Sequence, residues 1–146
     1  RAWMAGGPRL AQNPLAPPWR RALERAMSKA AFSIKAFGVY LLVLGVCLVL
    51  VPNLLLGLFA MPRTDEVWIR VVGVLVFNIG LYYWFAAQGE ATSVFRASIA
   101  TRVLVLVAFA AFAALGFAPP MLVLFGLADF AGALWTWQAL KRDAAA

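Results

Sequence analysis

Four apolar segments, each about 20 residues long or longer, follow one another along most of the chain. They cover residues 37–60, 67–87, 95–117 and 119–140. At ~1.5 Å per residue, a helix of about 20 residues crosses the ~30 Å hydrocarbon core of a bilayer. Hydrophobic residues make up 64% of the 146-residue chain and charged residues 13%, and a soluble domain of this size cannot bury so much apolar surface. We therefore predict an all-α integral membrane protein, a four-transmembrane-helix antiparallel bundle.

The connections between these segments are short and contain residues typical of helix ends. Pro62 follows the first segment, Gly89 follows the second, and Gly116 and the pair Pro119–Pro120 separate the third from the fourth. Glycine after a helix end and proline in the next first turn are both favourable. Because short loops make consecutive helices antiparallel neighbours, we expect an up-and-down arrangement.

The chain divides into a leader at residues 1–35, the transmembrane domain at 36–140 and a cytoplasmic tail at 141–146. The leader carries seven Lys and Arg residues against one acid, Glu24, and its first half holds four prolines. We expect that half to be disordered and the second half to form an amphipathic helix on the membrane surface. Met27 resembles an ordinary translation start, so residues 1–26 are alternatively an extension or a transit peptide.

The distribution of Lys and Arg predicts the orientation of the chain. Four spans place both termini on one side, and eleven of the thirteen basic residues lie on that side, all except Arg63 and Arg70. The positive-inside rule then places both termini in the cytoplasm. We expect a multi-pass protein of the bacterial inner membrane, with the lipid bilayer as its first partner.

Several classes of function lack the residues they need. The chain has no histidine and a single cysteine, Cys47, which excludes His-ligated metal or haem and any intramolecular disulfide. It contains no nucleophile–base set and no nucleotide-binding loop, so we predict no catalytic residue, no metal and no cofactor. The net charge of +7 follows from membrane topology, and we predict no nucleic-acid partner.

Asp129 is the residue least suited to its segment, because it lies near the middle of the fourth span. A mid-span acid costs roughly 2.5–3.5 kcal/mol on insertion, close to what the eight Leu, Val and Phe residues of this span return at roughly 0.3–0.6 kcal/mol each. We therefore predict that Asp129 faces the other helices and not the lipid.

Helix geometry selects the candidate neighbours of Asp129. At ~1.5 Å per residue, Arg102 lies about 9 Å and Asp129 about 16 Å from the inner edge, a gap that an arginine side chain can bridge. Asp129, Arg102, Asn78 and Tyr82 form the candidate buried polar cluster. The alternatives stay open at this point: a structural ion pair or a titrating carboxylate at Asp129, a snorkelling Arg102, and an interhelical hydrogen bond at Asn78.

Glycines at regular spacing mark candidate helix-packing faces, because a small residue lets two helices approach closely. Pairs seven residues apart occur in the first and second spans, and two more glycines flank Asp129 by three residues each. The six candidates are Gly38, Gly45, Gly73, Gly80, Gly126 and Gly132.

Over residues 36–140 the chain resembles small bacterial four-helix membrane proteins of the DoxX-like kind. The matching features are Pro52-Asn53 near the end of the first segment, the sequence Arg70-Val71-Val72-Gly73 with Gly80 one heptad on, and Asp129 after a Pro-Pro turn. The resemblance implies a four-helix membrane fold. Some members are described as subunits in quinone-linked sulfur oxidation and most have no assigned activity, and no residue here matches a catalytic motif of theirs.

Three functions remain open. The first is a small non-enzymatic subunit or assembly partner of a larger membrane complex, which needs only packing faces and a buried polar contact. The second is a homo-oligomeric proton- or cation-coupled transporter that uses Asp129. The third is a quinone- or lipid-binding subunit with its polar groups near the inner interface.

Overall fold

A computed structural model describes residues 27–145 of the chain. Within them no strand occurs, and the prediction of an all-α fold is confirmed. Four of the helices are long and apolar enough to cross a membrane, as predicted. The helices are α1 (Lys29–Leu50), α2 (Pro52–Leu58), α3 (Trp68–Gln88), α4 (Thr92–Ala114) and α5 (Val123–Ala144), and a 3-10 turn at Pro120–Leu122 leads into α5.

The first predicted segment, residues 37–60, is two helices in the structure. Pro52 has no N–H to continue the helical ladder, so α1 ends at Leu50 and α2 begins at Pro52. The interruption leaves the Val49 carbonyl free of its helical partner, and the Arg70 guanidinium donates a hydrogen bond to it. Arg70 therefore ties the start of α3 to the end of α1.

The start of α1 also differs from the prediction. The helix begins at Lys29, eight residues before the predicted segment, because the Ser28 hydroxyl accepts a hydrogen bond from the Ala31 N–H at 3.0 Å. The leader boundary predicted at residue 35 is thus inside a helix. Similarly, the predicted tail at 141–146 begins inside α5, which continues to Ala144. The proline-rich part of the leader and the start of its predicted amphipathic helix lie outside the described residues.

Three separate parts of the chain meet at one end of the bundle, which we call the proximal end. The Ser28 N–H and hydroxyl donate to the Glu90 carboxylate at 2.9 and 2.6 Å. The N–H groups of Lys29 and Ala30 donate to the Asp143 carboxylate at 3.3 and 2.8 Å. Two acids therefore satisfy the first N–H groups of α1, where the helix dipole favours negative charge.

Glu90 adopts a left-handed backbone conformation, with φ of 50°. The turn between α3 and α4 requires it, because the N–H groups of Glu90 and Ala91 donate back to the carbonyls of Ala87 and Ala86 at 3.3 and 3.0 Å. A side chain in this conformation costs roughly 1–2 kcal/mol. The hydrogen bonds from Ser28 offset that cost.

The opposite, distal end is fixed by a side chain beside the helix break. Asn53 in α2 accepts a hydrogen bond from the Thr64 N–H at 2.9 Å and donates one to the Thr64 carbonyl at 3.1 Å. This pairing anchors the loop that connects α2 to α3. The ring centroids of Phe59 and Phe125 lie 4.1 Å apart, so this loop also packs against α5.

Helices α1 and α3 pack closely through two glycine pairs. A Cβ on Gly38 would lie 3.2 Å from the Gly80 carbonyl oxygen, and one on Gly45 would lie 2.8 Å from that of Gly73. Since the two helices are antiparallel, equal seven-residue spacing on both brings the two pairs into register together. The four glycines thus form one continuous contact along the α1–α3 interface.

The second close pair of helices is α4 and α5, and α1 packs against α5 to join the two pairs. A Cβ on Gly126 would lie 2.9 Å from the Leu106 Cα, and one on Gly132 would lie 2.7 Å from the Phe37 ring. Helices α3 and α4 make little direct contact, although they are consecutive. The bundle is therefore open along one side.

Candidate functional site

The opening between α3 and α4 is a groove of about 590 Å³, which we call the central groove. Residues of α1 and α5 also line it, and most of the lining is Leu, Val, Ile and Phe. This volume lies within the range of small-molecule sites, about 300–1,000 Å³. The polar side chains that line the groove are Tyr40, Tyr83, Ser98, Thr101, Arg102 and Asp129.

Arg102 is the most deeply buried charged residue of this lining, with 3% of its surface exposed. It follows Phe95 and Ser98 at steps of three and four residues, and these three are the buried positions of α4. Its guanidinium carbon lies 3.7 Å from the Phe37 ring centroid and 5.1 Å from that of Tyr83. The cation is therefore stacked between α1 and α3 by contact with aromatic faces.

One nitrogen of Arg102 has a hydrogen-bond partner. Nη1 donates to the Thr136 hydroxyl at 3.3 Å, and that hydroxyl donates to the Gly132 carbonyl at 3.0 Å. Ser33 of α1 lies 3.1 Å from the same Thr136 oxygen. The guanidinium thus contacts all of α1, α3 and α5 from its origin on α4, where the four long helices meet.

The other two nitrogens of Arg102, Nε and Nη2, are buried and have no acceptor within residues 27–145. A buried donor without an acceptor costs about 1–3 kcal/mol, and more when it is charged. Arginine cannot avoid this cost by losing its proton. Within the described residues, two of the three guanidinium nitrogens of Arg102 therefore lack a hydrogen-bond acceptor.

Asp129 lies at the same depth as Arg102, but the predicted pair between them is not formed. Gly126 of α5 lies against Leu106 of α4. Because the two helices are antiparallel, three residues forward on α5 and three residues back on α4 bring Asp129 level with Val103. Side chains lean toward the N-terminus of their own helix. Arg102 therefore leans toward the proximal end and Asp129 toward the distal end, so the two groups make no direct contact, although their charges still interact across the groove.

Asn78 and Tyr82 do not belong to this site, contrary to the prediction. The Asn78 amide donates to the Val74 carbonyl of its own helix at 3.1 Å, and Tyr82 is 72% exposed. The buried face of α3 carries Gly73 and Gly80. Asn78 and Tyr82 are each two residues from Gly80, which at ~100° per residue turns them about 200° around the helix axis. Both therefore lie on the outer face of α3.

Sequence reasoning missed Phe37, Tyr83 and Thr136, which contact the guanidinium. The glycine pattern contains the signal for two of them. Tyr83 follows Gly80 by three residues and Thr136 follows Gly132 by four, so each lies on the same helix face as a packing glycine. The prediction of Tyr82 used only its depth in the membrane. The face of α3 that carries Gly80 indicates Tyr83, the next residue, as the one that points toward the site.

Comparison with protein-family models, curated proteins and solved structures finds no match to this chain. The site combines a fixed cation, two free donors and a long apolar groove that is open along one side of the bundle.

Proposed function

We propose that this chain is a multi-pass protein of a bacterial inner membrane, with its proximal end in the cytoplasm. Large apolar side chains on the outer surface support insertion, among them Leu58, Phe85 and Leu104 at 64–72% exposure. Basic residues concentrate at the proximal end, where the positive-inside rule expects the cytoplasm. We also propose that the chain is related to the small bacterial membrane proteins of the DoxX-like kind that its sequence resembles.

Within that membrane, we propose that the chain binds an amphiphilic molecule in the central groove. The observation that carries this proposal is Arg102, a buried permanent cation with two donors that no described residue satisfies. An oxygen-bearing head group that displaced the packing around these two buried nitrogens would supply the missing acceptors. The apolar lining would accept the body of the molecule, at about 25 cal/mol per Å² of apolar surface removed from water.

The open side of the bundle supports entry from the bilayer. A ligand that is already dissolved in lipid can pass between α3 and α4 without crossing water. This proposal adopts the quinone- or lipid-binding interpretation of the sequence. It requires no reaction on the ligand, so a non-enzymatic membrane subunit remains the kind of protein that we propose.

Asp129 supports a second candidate function. Asp129 lines the central groove together with Arg102, an arrangement that favours proton- or cation-coupled transport in a homo-oligomer. Transport predicts accumulation of a solute in vesicles that depends on Asp129. Ligand binding without transport predicts no such accumulation, so a flux assay with Asp129→Asn separates the two functions.

The binding proposal is tested by the lipids that remain with the purified protein. The wild-type chain, Arg102→Met and Arg96→Met are purified in mild detergent, and the bound organic molecules are identified by mass spectrometry. Arg96 is the matched control because it lies on the same helix and is exposed.

We expect one amphiphile in near-stoichiometric amount with the wild type and with Arg96→Met, and its loss from Arg102→Met. Circular dichroism and gel filtration establish that each variant is folded. The same lipid composition in all three proteins would overturn the proposal.

A further inference from the structure

The free edge of the Arg102 guanidinium has a defined shape. Nη1 is engaged by Thr136, and the two nitrogens without an acceptor are Nε and Nη2. These two nitrogens are adjacent on the same edge, and their N–H groups are parallel. This edge matches the two oxygens of a carboxylate, which arginine binds through two parallel hydrogen bonds. A hydroxyl or a single carbonyl offers only one oxygen to the two donors.

The charge at this point also favours an anion. Arg102 is always protonated, and the polar groups beside its guanidinium, the hydroxyls of Thr136 and Tyr83, are neutral and do not balance its charge. Asp129 lines the same groove but leans toward the distal end. A single negative charge at Nε and Nη2 would pair with Arg102, whereas a second charge on the same head group would have no cation left to pair with and would be repelled by Asp129.

The size of the central groove limits the apolar part of the ligand. From Tyr83, which contacts the Arg102 guanidinium, the groove wall on α3 continues for fourteen residues to Ile69, which is ~21 Å at ~1.5 Å per residue. The groove volume is about 590 Å³. At ~30 Å³ for each water-sized group, it holds roughly 20 such groups. One long acyl chain with its head group fills this space, so the second chain of a phospholipid would lie outside it, along the open side of the bundle.

We infer that the central groove binds a single-chain amphiphile with a carboxylate head, the chemistry of a long-chain fatty acid. The carboxylate displaces the side-chain packing that covers Nε and Nη2 of Arg102 and pairs with them, and the chain runs between α3 and α4 toward the distal end. This inference rests on the proposed function, because it names the head group and chain number of the amphiphile.

The test measures binding of three probes of equal chain length to the full chain in detergent by native mass spectrometry. The probes are palmitate, hexadecanol and hexadecyl phosphate, which differ only in the head. We expect palmitate to bind one molecule per chain and hexadecanol to bind about 10- to 100-fold more weakly, since it loses the charged hydrogen bonds. We expect hexadecyl phosphate to bind more weakly than palmitate and to gain relative to it in Asp129→Asn.

Two arginine variants localise the head group. Arg102→Lys keeps the charge and removes the paired donors, so palmitate binding should fall about tenfold while hexadecanol binding changes little. Arg96→Lys on the same helix should change neither. Because Arg102→Lys keeps a cation at the centre of the bundle, it carries the test if Arg102→Met fails to fold.

The outcomes separate this inference from the proposed function. Equal binding of palmitate and hexadecanol at a site sensitive to Arg102 would overturn the carboxylate assignment and leave amphiphile binding in place. Preference for hexadecyl phosphate over palmitate would also overturn it, in favour of a phosphate-headed lipid. Binding of all three probes that is unaffected by every Arg102 variant would overturn both.

Discussion

The glycine contact between α1 and α3 gives a graded prediction for stability. A Cβ on Gly45 would lie 2.7 Å from the Phe77 backbone nitrogen and 2.8 Å from the Gly73 oxygen. Ordinary contact begins at 3.4 Å, so Gly45→Ala must separate the two backbones by about 0.7 Å, the difference between 3.4 and 2.7 Å. Neither atom belongs to a side chain that can rotate away. Overpacking of this kind costs about 1–3 kcal/mol.

The matched control is Gly57→Ala in α2. A Cβ there meets nothing within 4 Å, and alanine is favoured over glycine in a helix by roughly 0.5–1 kcal/mol. This gain in helix propensity applies to Gly45→Ala and Gly57→Ala alike. The difference between their free energies of unfolding therefore measures the cost of the close contact at Gly45. Gly38→Ala is intermediate, because its nearest contacts are at 3.2 Å.

The assay is reversible unfolding of the three variants in mixed micelles, followed by circular dichroism. We expect the order of stability Gly57→Ala, Gly38→Ala, Gly45→Ala, with about 1–3 kcal/mol between the first and the last. If Gly45→Ala were as stable as Gly57→Ala, the close antiparallel approach of α1 and α3 would be refuted.

Three further predictions use the same unfolding assay or the binding assay. Glu90→Ala and Glu90→Gly both lose the hydrogen bonds to Ser28, but only glycine relieves the strain of the left-handed backbone. Glu90→Gly should therefore be the more stable variant by about 1 kcal/mol. The reverse order would contradict the assigned turn. Thr136→Val leaves a third Arg102 nitrogen without an acceptor and should destabilise the bundle by about 1–3 kcal/mol, while Thr136→Ser should retain most of the stability; equal loss in both would show that the hydroxyl does not matter. Tyr82→Phe should leave palmitate binding unchanged because Tyr82 lies on the outer face, and weaker binding would return Tyr82 to the site.

The fold was largely predictable because its main determinants are local. Segment length and hydrophobicity predict four long helices, and short loops predict their antiparallel order. The positions of Pro52 and Ser28 determine where α1 ends and begins, and both signals are visible in the sequence. Pro52-Asn53 predicts a kink or a frayed end in the first segment, and the missing N–H of Pro52 produces a complete break there in the structure.

The candidate site was predicted in part. The depth of a residue in the membrane can be counted along its helix, but the side of the helix on which it lies cannot be related to the site until the neighbouring helices are placed. Depth placed Arg102 and Asp129 at nearby levels, and the structure places them on the same groove. It also selected Asn78 and Tyr82, which face outward. The divergence of Arg102 and Asp129 follows from antiparallel α4 and α5, whose side chains lean toward opposite ends.

The central claim is that a lipid-phase molecule occupies the groove between α3 and α4 with its head at Arg102. Photoreactive long-chain probes with a diazirine in the chain, one with a carboxylate head and one with an alcohol head, test it most directly in native membranes. The account predicts that at least the carboxylate probe labels groove residues such as Val76, Phe109 and Phe125, and that Arg102→Lys reduces this labelling. Labelling by both probes spread over outward residues such as Val43 and Leu104, unchanged in Arg102→Lys, would contradict it.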